Sequence, residues 1–451
     1  MSFRADIPGA VDLFDLHRRS PEIYPFLLQS VAGHPQSGRY DILFAFPQEH
    51  VQIERRSCDG GNPEPVPQQD FFSALSRQFT EQEPLPQSDL PFCGGWFLLL
   101  GYEAARLIEP RLRLPDSPYR LPDALAVRCT AAAIYDRTRQ VTHLIAETEK
   151  NQLEQLHSDL QFHLKSTAQY IDKKINSSFE EEREEDFLGG VERIHQYLRA
   201  GDVFQVNLSR AWRAELLQGS NYQDVYAGLC RHNPAPFAGL AYWQGSAVLS
   251  SSPERLVSLD NGIVQTRPIA GTRPRGAGPT QDQALRQKLI GNLKERAEHV
   301  MLIDLERNDL GRICEPGSVE VSELMTVESY AHVHHIVSNV RGRLRQGVGP
   351  GEVLRAVFPG GTITGCPKVR AMEIISELEG IGRGPYTGAM GYLSRCGRMD
   401  TNILIRSLVC EDGAVSFRAG AGIVADSQPQ AELEETRAKA RGLLLALGAA
   451  V

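Results

Sequence analysis

Three neighbouring runs decide how this chain is read: Gly388-Ala-Met-Gly-Tyr-Leu393, Met399-Asp-Thr-Asn-Ile-Leu-Ile-Arg-Ser-Leu408 and Ala414-Val-Ser-Phe-Arg-Ala-Gly-Ala-Gly-Ile-Val424. All three read as strands separated by short turns. Similar runs recur upstream at 40–46, 124–128, 141–145, 203–212 and 330–344. Residues 247–258 and 263–267 flank the turn Asp260-Asn261-Gly262 and read as a hairpin. Helical spacing marks 151–173, 281–309 and 431–447. It also marks 187–200, through Phe187, Val191, Ile194 and Leu198, and 367–378, which opens on Pro367. Strand runs outnumber helices and do not alternate with them. The expectation is an α+β fold with large, mostly antiparallel sheets rather than a doubly wound one.

The clearest boundary lies near 166–186. Residues 180–186 carry six acids and one arginine, a run that repels itself and stays solvated. It is expected to be a linker between an N-terminal region, 1–165, and a C-terminal region, 187–451.

Composition excludes several classes. Hydrophobic residues are 41% and charged residues 23% of 451, an ordinary soluble globular balance. Lys plus Arg is 48 against 56 for Asp plus Glu, a net charge of −8. Such a chain has no overall positive field to draw in nucleic acid or an anionic membrane. The run Trp96-Phe-Leu-Leu-Leu100 is too short to cross a bilayer, and the first twenty residues place acids where a signal peptide needs an apolar core. None of the eight cysteines forms a C-x-x-C pair, so a reduced, cytoplasmic setting is expected.

Local motifs alone select no reaction. Gly360-Gly-Thr-Ile-Thr-Gly-Cys-Pro-Lys368 has the glycines of a phosphate-binding loop, but Gly365 is followed by Cys-Pro instead of Lys-Ser/Thr. It remains a Gly-rich turn entering a helix, able to hold an anion on its N–H groups or simply to turn. Alternation puts His332 and His334 on one strand face and His335 on the other, against a three-histidine metal site. Glu295 and Glu298 sit where a helix becomes apolar, and Glu432, Glu435 and Lys439 share one helix face. From spacing alone, surface charge is the plainer account of both.

Taken together and in order, several segments resemble the chorismate-utilising enzymes. They are Gly201-Asp-Val-Phe-Gln-Val-Asn-Leu-Ser-Arg210, Ser252-Pro-Glu-Arg255, Arg267-Pro-Ile-Ala-Gly-Thr272, Arg296 to Asp309, His334-His-Ile-Val-Ser338, Phe358 to Glu373 and Ala419 to Ser427. Leu27-Leu-Gln-Ser30 and Gly94 to Tyr102 match more loosely. This family includes anthranilate, aminodeoxychorismate, isochorismate and salicylate synthases. The resemblance implies a two-sheet β-sandwich with helices outside, chorismate as substrate, and Mg²⁺ held by the positions matching Glu298 and Glu435. A hard cation with few carboxylate ligands fits that pairing. It further implies substrate contacts from Gln205, Thr272, Thr364, Tyr392, Arg406, Gly420, Gly422 and Lys439, and a catalytic group comprising Glu254, Ala270, His335 and Lys368. Glu254 matches the acid that protonates the departing C4 hydroxyl. Ser30, Pro236 and Phe237 match a pocket that holds tryptophan in some members.

Within the family, isochorismate synthases have a lysine base at the position of Gln205, so the resemblance favours ammonia over water as nucleophile. Segments Gln205 to Leu208, Arg39 to Pro47 and Pro359 to Gly365 look most like aminodeoxychorismate synthase component I. Ala270 instead matches anthranilate synthase, since many aminodeoxychorismate synthases carry a nucleophilic lysine there. No Gly-x-Cys-x-Gly turn of a glutamine amidotransferase is present, so ammonia is expected from a separate glutaminase subunit. An inactive, binding-only relative is the remote alternative, and the presence of Glu254, Glu298, Glu435, Lys368 and Lys439 weighs against it.

Overall fold

The computed structural model describes residues 3–31, 38–53, 70–83, 85–163, 175–329 and 333–449. Its strands in chain order are β1 Phe3–Pro8, β2 Phe26–Gln29, β3 Tyr40–Ile53, β4 Gly95–Leu100, β5 Ala124–Asp136, β6 Val141–Ala146 and β7 Asn176–Glu181. They continue as β8 Gln205–Leu216, β9 Phe237–Trp243, β10 Ser246–Ser252, β11 Arg255–Asp260, β12 Ile263–Thr266, β13 Ile269–Pro274 and β14 Glu320–Ser329. The last are β15 Val333–Arg343, β16 Gly365–Cys366, β17 Ala389–Ser394, β18 Met399–Ile403, β19 Ser407–Glu411 and β20 Ala414–Ile423. Helices α1 Leu13–Arg19, α2 Phe71–Glu81, α3 Lys150–His163, α4 Glu184–Ala200 and α5 Tyr222–His232 precede α6 Pro279–Gly291, α7 Leu293–Gly311, α8 Pro350–Val357, α9 Lys368–Glu379 and α10 Pro429–Ala446.

Hydrogen bonding links the strands into one antiparallel network that folds into two packed layers. The first layer runs β1-β6-β5-β3-β2-β9-β10-β19-β20-β8-β7. The second runs β5-β4-β17-β18-β11-β12-β15-β14, with β13 beside β15. Strand β5 belongs to both: Ala131–Asp136 pairs with β6 and Ala124–Cys129 with β4. Its alternation shows why. Leu125, Val127, Ala132 and Ile134 face the other layer, while Ala124 and Ala126 meet one set of helices and Ala131 and Ala133 another. Between the layers Phe26 stacks on Phe97 with ring centroids 4.0 Å apart. Helices α1, α3, α5 and α10 cover the outside of the first layer, and α2, α7 and α8 the outside of the second. The α+β fold with a large antiparallel sandwich and external helices is the expected one.

Four expectations change. The helix read at 281–309 is two helices, because Asn292 ends α6 and its side chain accepts from the Glu295 amide at the start of α7. The strands read at 247–258 and 399–408 are each broken, at Pro253-Glu254 and at Leu404 to Arg406. Each break is where the chain leaves one layer for the other: β10 pairs with β19 in the first, β11 with β18 in the second. The acidic stretch is not all linker. Strand β7 pairs with β8, and Arg210 and Arg437 meet Glu181 at 2.6 and 3.0 Å, so charges that repel along the chain are neutralised in space. The regions 1–165 and 187–451 share one strand network, since β2 pairs with β9 and β4 with β17. Residues 164–174 lie outside the described set. Among the described residues no helix is long and apolar enough to cross a membrane.

Close packing of α5 on α10 yields a test. A Cβ on Gly228 would strike the carbonyl oxygen of Ala446, whereas Gly189 on α4 has nothing within 4 Å. Gly228→Ala is expected to destabilise by about 1–3 kcal/mol through overpacking. Gly189→Ala is expected to stabilise by about 0.5–1 kcal/mol through lost unfolded-state freedom. Urea melts of both variants check the opposite signs.

Candidate active site

The two layer crossings lie side by side and place two functional side chains. Pro253 lacks an amide, so the ladder stops there. The Glu254 carbonyl accepts from the Ile403 amide at 3.0 Å, and the Arg406 carbonyl from the Ser251 amide at 3.1 Å. Arg406 has φ +53°, the left-handed region, which turns its side chain out of the strand alternation. Its guanidinium makes no hydrogen bond or ion pair with a described residue; burial lowers its pKa, while Tyr386 and Glu435 act in the opposite sense. A half-buried cation without a protein partner is costly unless an anion binds it.

Glu254 is buried, and its carboxyl is pushed up to about 8. Burial is the largest cause; Glu306 adds to it, while the Thr362 hydroxyl, the Ile269 amide and Lys439 oppose it. At neutral pH this group holds its proton and can donate it.

The floor is the β8–β20 ladder. Gly420 and Gly422 face the start of β8: a Cβ on Gly420 would come within 2.7–2.9 Å of the Leu208 carbonyl, the Asn207 side chain and the Tyr386 hydroxyl, and one on Gly422 would strike the Gln205 amide. Lys439 on α10 donates to the Gly420 carbonyl at 2.9 Å and pairs with Glu435 at 2.8 Å, the i, i+4 spacing that the sequence allowed. Gln205 donates to Glu298 at 2.9 Å. Thus Glu298 and Glu435 stand at the two ends of one chain of contacts, through Gln205, Gly422, Gly420 and Lys439. Both offer only oxygen donors, the chemistry Mg²⁺ requires, and few protein ligands suffice when water and substrate complete the shell. Among the described residues no cluster of three His, Cys, Asp or Glu could hold a metal.

His335 on β15 is buried, and burial chiefly depresses it to about 4; Arg406 adds to this and the Gly271 backbone opposes it. It is therefore a neutral ring beside the cation. His334, on the opposite face, is held by Asp282 at 2.9 Å and Ser329 at 2.7 Å. His332 and the Thr272 side chain lie outside the described residues. Ala270 is buried on β13, next to a bulge at Gly271, whose φ is +66°.

Three expected site residues take other roles. The Lys368 ammonium pairs with buried Asp309 at 2.6 Å, so its nitrogen has no lone pair to attack with. The Thr364 hydroxyl donates to the Gly360 carbonyl at 3.0 Å and closes the glycine-rich turn. Tyr392 packs between the layers near Phe44 and Phe92, away from Arg406. The tyrosine at the site is Tyr386, six residues earlier. Its loop is fixed by Arg383, which bonds Glu379 and the Asn207 carbonyl, and burial pushes its hydroxyl up to about 12, so it remains a donor. A Pro-Tyr-Thr-Gly turn carries no periodicity, so only the turn residues themselves signalled it.

Tyr392 lines a separate cavity of about 450 Å³ between the layers, together with Ser30, Pro236, Phe237, Arg255 and Asp400. Ser30 is rigid there: its amide donates to Asp41 at 2.8 Å and its hydroxyl to the Pro236 carbonyl at 2.7 Å. Arg255 forks onto Asp400 at 2.8 and 2.9 Å. The cavity is large enough for a small organic molecule. Glu254 and Arg255, adjacent in sequence, therefore serve two different spaces.

The family model for chorismate binding enzymes matches residues 25–445. The chain is 39% identical over 424 residues to aminodeoxychorismate synthase component 1 of Salmonella typhimurium, covering 92% of this chain and 90% of that one. It is also 39% identical over 447 residues to anthranilate synthase component 1 of Pseudomonas aeruginosa, covering 94% and 90%. Among solved structures it resembles anthranilate synthase component I from Streptococcus pneumoniae, with a TM-score of 0.79 and 33% identity over 91% of this chain and 93% of that one. With equal identity to two activities, the comparisons fix the substrate family and not the product: the chain belongs to the chorismate binding enzyme family.

Proposed function

We propose that the chain is an aminodeoxychorismate synthase component I, replacing the C4 hydroxyl of chorismate with an amino group for para-aminobenzoate and folate synthesis. The observation that carries this reading is the pairing of a protonated, buried Glu254 with the unpartnered guanidinium of Arg406. One donates a proton to a leaving oxygen; the other receives a substrate carboxylate. Gln205 supports ammonia over water as nucleophile, because an amide bonded to Glu298 is no base. The segments Arg39 to Pro47, Gln205 to Leu208 and Pro359 to Gly365 favour the C4 product.

Neither Lys368 nor Lys439 offers a neutral amine, as both are ion-paired. Ammonia then bonds to C4 directly. The C4–O bond breaks, the oxygen takes the Glu254 proton and leaves as water, and the new ammonium returns a proton to Glu254. Tyr386 and Lys439 orient the substrate over Gly420. Glu298 and Glu435 would hold Mg²⁺, which when bound supplies positive charge to the ring carboxylate. A glutamine amidotransferase subunit would supply the ammonia, and the cavity around Ser30 and Phe237 would hold tryptophan. Ala270 favours the second reading, anthranilate synthase component I, in which ammonia adds at C2 and pyruvate is lost.

Three outcomes follow. Incubation with chorismate, Mg²⁺ and ammonium should give mainly the C4-amino product by mass spectrometry, and Ala270→Lys should retain or raise its rate; dominant, fluorescent anthranilate would establish the second reading. Glu254→Gln should lower kcat by about 10²–10⁴-fold with chorismate binding retained, and wild-type kcat should fall as pH rises through about 8, where the acid loses its proton. Glu298→Gln or Glu435→Gln should abolish turnover without changing the melting temperature, and full activity in excess chelator would exclude a metal requirement.

A further inference from the structure

The turn that carries Tyr386 is held from behind by residues of the N-terminal region. Strand β4 ends at Leu100, and the chain then makes a short 3-10 turn, Tyr102–Leu107. The Tyr102 amide donates to the Gly384 carbonyl at 2.7 Å. Glu103 reaches the same place with its carboxylate: one oxygen accepts from the Arg383 amide at 2.7 Å, the other from the Gly384 amide at 3.0 Å. Glu103 is 1% exposed, and these partners are backbone amides, so what it fixes is the path of the main chain. Gly384 has φ +58°, and a Cβ there would strike the Tyr119 ring, so the turn is packed as well as bonded.

From Arg383 the turn is tied forward to the site. The Tyr386 amide donates to the Arg383 carbonyl at 3.2 Å, the Gly388 amide to the Pro385 carbonyl at 2.9 Å, and the Thr387 amide to the Leu404 carbonyl at 2.8 Å. Leu404 lies in the break that delivers Arg406. The Arg383 guanidinium lies 4.9 and 5.5 Å from the ring centroids of Tyr102 and Tyr386, and it donates to the Asn207 carbonyl at 2.7 Å. Asn207 faces Gly422 across the β8–β20 ladder. At the far end the Tyr386 hydroxyl stands 2.9 Å from where a Cβ on Gly420 would be.

Two buried amides without acceptors are costly, and a turn that moved to find others would carry Tyr386 with it. A displacement of about 1 Å at a substrate-orienting group can cost about 10²-fold in rate. We propose that Glu103 is a positioning residue for Tyr386: its carboxylate fixes the 383–388 turn and so sets the Tyr386 hydroxyl against the substrate over Gly420. The inference rests on the reading in which Tyr386 orients the substrate, and it holds for either aminated product.

A double-mutant cycle on the full chain tests it, with chorismate consumption measured in Mg²⁺ and ammonium. Glu103→Gln keeps the shape but sets an NH₂ group against one of the two backbone donors. Glu103→Gln and Tyr386→Phe should each lower kcat/KM by about tenfold or more, mostly through KM, because an orienting hydroxyl acts on bound substrate throughout. The double variant should lie within about twofold of Tyr386→Phe alone, since the carboxylate has nothing left to position. Losses that multiply would show a merely structural role and overturn the proposal, as would an unchanged kcat/KM in Glu103→Gln. Glu103→Asp keeps both acceptors and draws them back by one methylene; it runs the same cycle if the amide variant does not fold. Full activity in Tyr386→Phe would overturn both the orienting role of Tyr386 and the positioning of it. Anthranilate as the product, with the cycle non-additive, would overturn only the C4 reading and support the positioning.

Discussion

The paired crossing of β10–β11 and β18–β19 between the layers is the constraint on which the site depends. Where both strands break, ladder bonding gives way to two single bonds, Ile403 to Glu254 and Ser251 to Arg406. Residues inside a strand must alternate between the inter-layer core and the outer helices, and both destinations are apolar here. At the breaks a carboxyl and a guanidinium leave that alternation and remain on a rigid frame. Pro253 and the left-handed Arg406 create the breaks, so the residues that interrupt the fold also supply its chemistry.

Electrostatics follows from that placement. The chain is net negative, yet its substrate family is anionic. The site resolves the conflict locally: a cation without a protein partner, a carboxyl that holds its proton, and a histidine kept neutral by burial. None of these raises the negative charge met by an incoming carboxylate. The two glutamates at the rim, Glu298 and Glu435, are each held by a donor, Gln205 and Lys439.

Much of the strand order was legible because alternation and turns are local. The hairpin around Asp260 to Gly262, the start of α9 and the shared face of Glu435 and Lys439 came from spacing alone. Glu254 and Arg406 were legible only through family segments, since a strand break does not by itself mark a functional side chain. The resemblance points to Tyr392 and does not single out Tyr386, since a tyrosine on a strand looks the same whether it faces a ligand or an opposing layer. The acidic run misled because its counter-charges, Arg210 and Arg437, are far away in sequence.

The ladder beneath the site joins residues 206–215 to residues 414–423, and α10 adds Glu435 and Lys439 from beyond it. During synthesis on a ribosome, β8 is therefore made some two hundred residues before its partner β20 exists. Its edge must wait, unpaired, through the making of most of the second layer. Such a topology folds late and slowly, with the substrate floor among the last parts to close. A nascent chain halted anywhere before residue 439 has no complete site, so neither chorismate nor a metal could act as a template for it at that stage.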